Sequence, residues 1–139
     1  RRPRAVPYSK RGLSLGQLRK LEEATLHSGY LEGECTKFNE KNADEISDGK
    51  KFSMGLNLYA MNTFFVTPVT AVGSANVPEE VRTQAGAPEA VHESSYAELL
   101  NPNGVDVNFF ISHFWGHEFS STMKAIRGHA ESVRAGPEV

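Results

Sequence analysis

Six residues near the C-terminal end concentrate the groups that do chemistry: Ser112, His113, Trp115, Gly116, His117 and Glu118, within Phe109–Phe119 (FFISHFWGHEF). Three chemistries fit these types. A metal site would use His113 and His117, whose spacing puts two imidazoles on one face of a helix. It would need a third ligand from His27, His92, His129 or an acid. Gly116 between them argues against a helical backbone there. A hydroxyl–imidazole pair is the second option. Adjacent residues of a strand face opposite ways, so Ser112 would meet His117 rather than His113. No glycine-flanked nucleophile elbow surrounds the serine. In the third reading the stretch is structural: Trp115 covers a strand end, His113 is a hydrogen-bonded half-buried residue, and Glu118 complements a helix N-terminus.

All three require an element on either side. Val107 to His113 is rich in β-branched and aromatic residues, and the spacing predicts a buried strand. Phe119, Met123, Ile126 and Ala130 form a helical stripe, so a helix is expected from Phe119 to about Ala130. Strand, loop and helix in that order open an α/β unit, and ligands of such sheets sit beyond the carboxyl ends of the strands.

Upstream, Leu13 to Tyr30 reads as a helix. Ser14 and Gln17 form a capping box, Leu15, Leu18, Leu21 and Thr25 make its stripe, and Gly29 stops it. Residues 31–50 are polar and acidic and read as loop. Within them Asp44–Gly49 suggests a calcium loop, but setting Gly49 at its sixth position puts Ile46 at the third and Gly55 at the twelfth, where oxygen ligands are needed. Leu56–Met61 reads as a helical turn. Phe64–Val72 reads as a strand, which Pro68 confines to an edge or splits into two short pieces. A short helix capped by Ser94 or Ser95, with Glu98 reaching back, and a turn at Asn101–Gly104 follow. The division expected is a disordered basic arm (1–12), a helix and apolar strand segment (13–72), a mobile Ala/Pro/Glu-rich insertion (73–93) with a helical turn after Pro78, and an α/β segment (94–139).

The bulk numbers narrow function. The chain has 139 residues, a net charge of −2 and one cysteine, Cys35. The charge makes no global case for nucleic acid or membrane. A lone cysteine allows neither an internal disulfide nor a cysteine zinc cluster and fits a reducing, cytoplasmic interior. No apolar run reaches the roughly 20 residues of a membrane helix. The sequence opens on Arg1 and reads as a fragment or processed product.

Asn57–Asn62 (NLYAMN), Val66–Thr70 (VTPVT), Ser95–Leu99 (SYAEL) and Phe110–Phe119 (FISHFWGHEF) together resemble a group of uncharacterised algal and protist proteins. The last of these segments also resembles the opening strand of a TIR-like domain. The resemblance implies a flavodoxin-like parallel sheet, truncated to its first strand–helix unit and preceded by a helical extension. Asn108 stands near the position of the family's Asp, and His113 replaces its final aromatic. The loop that lines the nucleotide pocket in those TIR domains that cleave NAD would fall on Trp115 to Glu118, so NAD enters by resemblance only and the residues themselves call for no cofactor; the family's catalytic glutamate would lie beyond Val139, and no residue of this chain takes a catalytic role. The ligand-binding candidates are therefore Ser112, His113, Trp115, His117 and Glu118. The function expected is an intracellular signalling or protein-interaction module that binds a protein partner or itself. The alternatives are one end of an NAD-cleaving hydrolase and a structural domain without ligand.

Overall fold

A computed structural model of the chain describes residues 5–73, 77–111 and 114–133. It overturns the α/β expectation. The described residues are 57% helical and contain no sheet. Two isolated bridges, Arg11 with Val105 and Asn57 with Glu118, are the only β pairings among them.

The first helix, α1 (Leu15–Glu22), begins with the predicted capping box: Ser14 Oγ accepts from Gln17 N–H at 3.0 Å, and Gln17 Oε1 accepts from Ser14 N–H at 3.0 Å. It runs on as a π turn over Glu23–His27, with the Ser28 N–H donating to Glu23 C=O. Widening a helix this way strands carbonyls of its inner turn, and hydroxyls take them up. Thr25 donates to Leu21 C=O at 2.7 Å and Ser28 to Ala24 C=O at 2.5 Å. Gly29, at φ +81°, then turns the chain into α2 (Tyr30–Lys41). Together with α3 (Ala43–Ser47), α2 replaces the loop expected over 31–50. Its buried residues, Leu31 and Cys35, are one helical turn apart.

The expected strand Phe64–Val72 is also helical. The segment runs as α4 (Leu58–Met61), a π turn (Asn62–Val66) and α5 (Thr67–Thr70). Phe65 and Val69, four apart, both enter the core. Pro68 explains the local geometry. In an α-helix the Phe64 carbonyl would accept from the N–H at position 68, which proline lacks. The Tyr30 hydroxyl reaches over from α2 and donates to that carbonyl at 2.7 Å. Burial, with Glu34 adding to it, pushes the Tyr30 phenol up to about 12. Tyr30→Phe should therefore cost about 1–3 kcal/mol by orphaning the acceptor. In a Pro68→Ala background, where an N–H is restored, the cost should shrink toward zero. Urea denaturation of the four variants checks this, and an undiminished cost in the double variant would refute it.

Residues 77–93, within the segment expected to be a mobile insertion, carry α6 (Glu79–Gln84) behind Pro78. They bury Val77, Val81, Ala85 and Ala87 in the same core as α1 and α2. The predicted box at Ser95 and Glu98 caps α7 (Tyr96–Leu100). The predicted C-terminal helix is α8 (Phe119–Ser132), which buries Phe119, Met123 and Ala130 and packs along α1.

No strand spans the described part of Val107–His113, whose last two residues, Ser112 and His113, lie outside the described residues. Val105 N–H donates to Lys10 C=O (2.8 Å), Gly12 N–H to Val105 C=O (3.0 Å) and Val107 N–H to Ser9 C=O (3.0 Å). There the pairing ends, because the 3₁₀ turn Tyr8–Lys10 offers no further extended neighbour. Strand-forming residues do not make a sheet without a second strand.

Candidate functional site: an apolar groove

The five candidates do not converge. Ser112 and His113 lie outside the described residues. Trp115 packs edge-on against Tyr59, ring centroids 5.6 Å apart, and its carbonyl accepts from Leu58 N–H at 3.2 Å. Glu118 is the N-cap residue of α8, yet its side chain makes no cap hydrogen bond; its main chain bridges to Asn57. His117 lines a cavity, and its ring lies 5.3 Å from that of Phe114.

That cavity is an open groove of about 1170 Å³. Its walls come from three remote parts of the chain. One is the face of α1 carrying Leu15 and Leu18. The second is the outer face of α8, with Thr122, Ala125, Ile126 and His129 at helical spacing. The third is Asp106–Ile111, with Tyr8 and Arg11 of the N-terminal segment behind it. His129 meets Phe109 edge-on at 5.0 Å. Among the described residues, neither His117 nor His129 has a side-chain hydrogen bond or ion pair, so no base is oriented toward a nucleophile. No group of three or more His, Cys, Asp or Glu among the described residues could hold a metal. A phosphate at the start of α8 would meet the Glu118 carboxylate, which weakens the case for a nucleotide there. A second cavity, about 20 Å³ beside Val69, Arg82 and Glu89, is the size of one water.

The N-terminal wall is latched by Glu98. Its carboxylate accepts from Val6 N–H at 3.0 Å and from the Ser95 N–H and hydroxyl, and Arg11 Nε lies 3.8 Å away. Val6 is buried, Arg11 Nε donates to Val6 C=O at 2.7 Å, and the guanidinium covers the Tyr8 ring. Gly104, at φ +88°, lets this segment approach: a Cβ there would stand 2.9 Å from Lys10 Cβ. The Val6 N–H, then the Ser95 donors and Arg11, hold the Glu98 carboxyl below its usual range, against the opposing effect of desolvation. A lowered folded pKa stabilises above the ordinary carboxylate range and is lost as pH falls through the folded value. The wild-type chain should therefore lose stability below about pH 4.5 more steeply than Glu98→Gln. Urea midpoints from pH 6 downward test this, and parallel curves would refute it.

Sequence reasoning missed this groove because its walls are distant in sequence. The one local signal was the unbroken Phe109–Ile111 run. No family model matches the chain, and no curated protein or solved structure matches it. No helix among the described residues is long and apolar enough to cross a membrane.

Proposed function

We propose that the chain is a protein-interaction module that seats an apolar polypeptide segment in the groove between α1 and α8. The observation that carries this reading is the apolar lip: Val107, Phe109, Phe110 and Ile111 are all exposed beside the groove. A contiguous apolar surface of this kind is costly to leave in water and marks a docking surface. The groove, at about 1170 Å³, also exceeds the roughly 300–1,000 Å³ of a small-molecule pocket. The polar groups at its edge suit a wet rim: Lys10 and Asp106 pair at 3.3 Å in solvent.

The test uses the dye anilinonaphthalene sulfonate as an apolar probe of the folded chain. Its fluorescence should rise on the native protein and fall at least about fivefold with Ala125→Glu, which places a charge on the groove wall. Ala125 is exposed, so the variant should keep the wild-type melt. No enhancement on the cooperatively folded protein, or equal enhancement in Ala125→Glu, would overturn the proposal.

A further inference from the structure

We infer that the partner seated on this surface is a second copy of the chain, paired through residues 107–111 across a twofold axis. The inference rests on the interaction reading above and names its partner. Three observations carry it.

The first is a ladder begun and not continued. Val105 and Val107 donate to the N-terminal segment, but no backbone group of Asn108–Ile111 is hydrogen-bonded among the described residues. These residues are strand formers with open donors and acceptors, the property that lets an edge add another chain. A copy of the same segment, run antiparallel across a twofold, supplies matching groups to both molecules.

The second is area. Val107, Phe109, Phe110, Ile111 and Trp115 are exposed by 42, 44, 90, 48 and 44%. With large side chains of about 200 Å² each, that is roughly 500 Å² of apolar surface. A stable interface takes about 800 Å² per partner. Five side chains thus supply more than half of it, and the groove walls beside them supply the rest.

The third is self-complementarity. A twofold interface needs the projection and the recess on the same molecule. Here Phe110, the most exposed of the run, borders the groove that a partner's Phe110 would enter. Charge does not oppose the contact: the net charge is only −2, and the rim carries Lys10 and Asp106 with opposite signs.

The test is the molar mass of the full chain by light scattering, from about 1 to about 200 µM, a range that covers an interface at the low end of the standard size. The mass should rise toward twice that of the chain. Phe110→Asp should weaken pairing at least about tenfold. Ile111→Pro, which keeps an apolar side chain but removes an amide donor, should weaken it as well. Both sites are exposed, and unchanged melts confirm that the variants fold. Pairing should also lower dye binding per chain as concentration rises, because the groove is covered. A wild-type chain that stays monomeric while binding dye in a way Ala125→Glu blocks would overturn self-pairing and leave the docking surface for another protein. A monomer that binds no dye would overturn both. A dimer untouched by either variant would place the contact on another face and overturn the inference.

Discussion

Arg127→Ala should lower the unfolding free energy by about 2–4 kcal/mol, one of the largest losses expected from a partly exposed position. Arg127 Nη1 lies 2.6 Å from Glu22 Oε1 and joins α8 to α1 across 105 residues of chain. Glu22 is 4% exposed, whereas Arg127 keeps contact with solvent. Truncating the arginine leaves a buried carboxylate without its partner, and the cost is the desolvation of that charge rather than the strength of the bond. Removing both members should be far milder. Glu22→Leu with Arg127→Met should lie within about 1 kcal/mol of wild type, because no charge is left buried. Because α1 and α8 are the long walls of the groove, Arg127→Ala should also blunt dye binding. Urea denaturation of the two variants decides the point. A loss below about 0.5 kcal/mol for Arg127→Ala would mean that Glu22 is in contact with water.

Phe65→Ala should cost about 3–5 kcal/mol, the range for emptying a buried aromatic site. Phe65 is fully buried at the π turn between α4 and α5. Its ring meets Tyr96 of α7 edge-on, with centroids 5.9 Å apart and 68° between planes. The neighbouring Tyr96 hydroxyl behaves in the opposite sense. It is buried with no hydrogen-bond partner among the described residues, and burial raises its pKa strongly. Tyr96→Phe keeps the ring and removes an uncompensated polar atom, so it should be neutral or stabilising by up to about 1 kcal/mol. A large loss in Tyr96→Phe would show that the hydroxyl has a partner. A small loss in Phe65→Ala would place Phe65 outside the core and revive the edge-strand reading of 64–72.

What was legible in the sequence was local. The boxes at Ser14/Gln17 and Ser95/Glu98, the stop at Gly29 and the stripe Phe119, Met123, Ile126, Ala130 each depend on residues a turn or so apart, and all are present. The misread segments depend on distant partners. Phe64–Val72 has strand composition, yet Phe65 and Val69 also stand at helical spacing. The helix around Pro68 is completed by Tyr30, 34 residues before Phe64. In α2 the apolar positions Leu31, Cys35 and Phe38 follow the helical period but are diluted by three acidic residues and two lysines from Leu31 to Lys41. Val107–His113 has the composition of a strand, yet its described part is none, since that state needs a neighbour and the fold supplies one only as far as Val107. The candidate residues around Trp115 were chosen for their chemistry. The groove that receives His117 is made by α1, α8 and the N-terminal segment, and no local pattern records their meeting.

The proposed function depends on one physical state: a strand-forming run held at the surface of a helical fold with its backbone open. Amide hydrogen exchange across Asn108–Ile111, measured on dilute and concentrated samples, tests it most directly. The account predicts fast exchange when dilute and slowed exchange when concentrated, with α1 and α8 protected in both. Protection of 108–111 at every concentration would mean that the run is paired within its own chain, and fast exchange at every concentration would mean that no copy pairs with it.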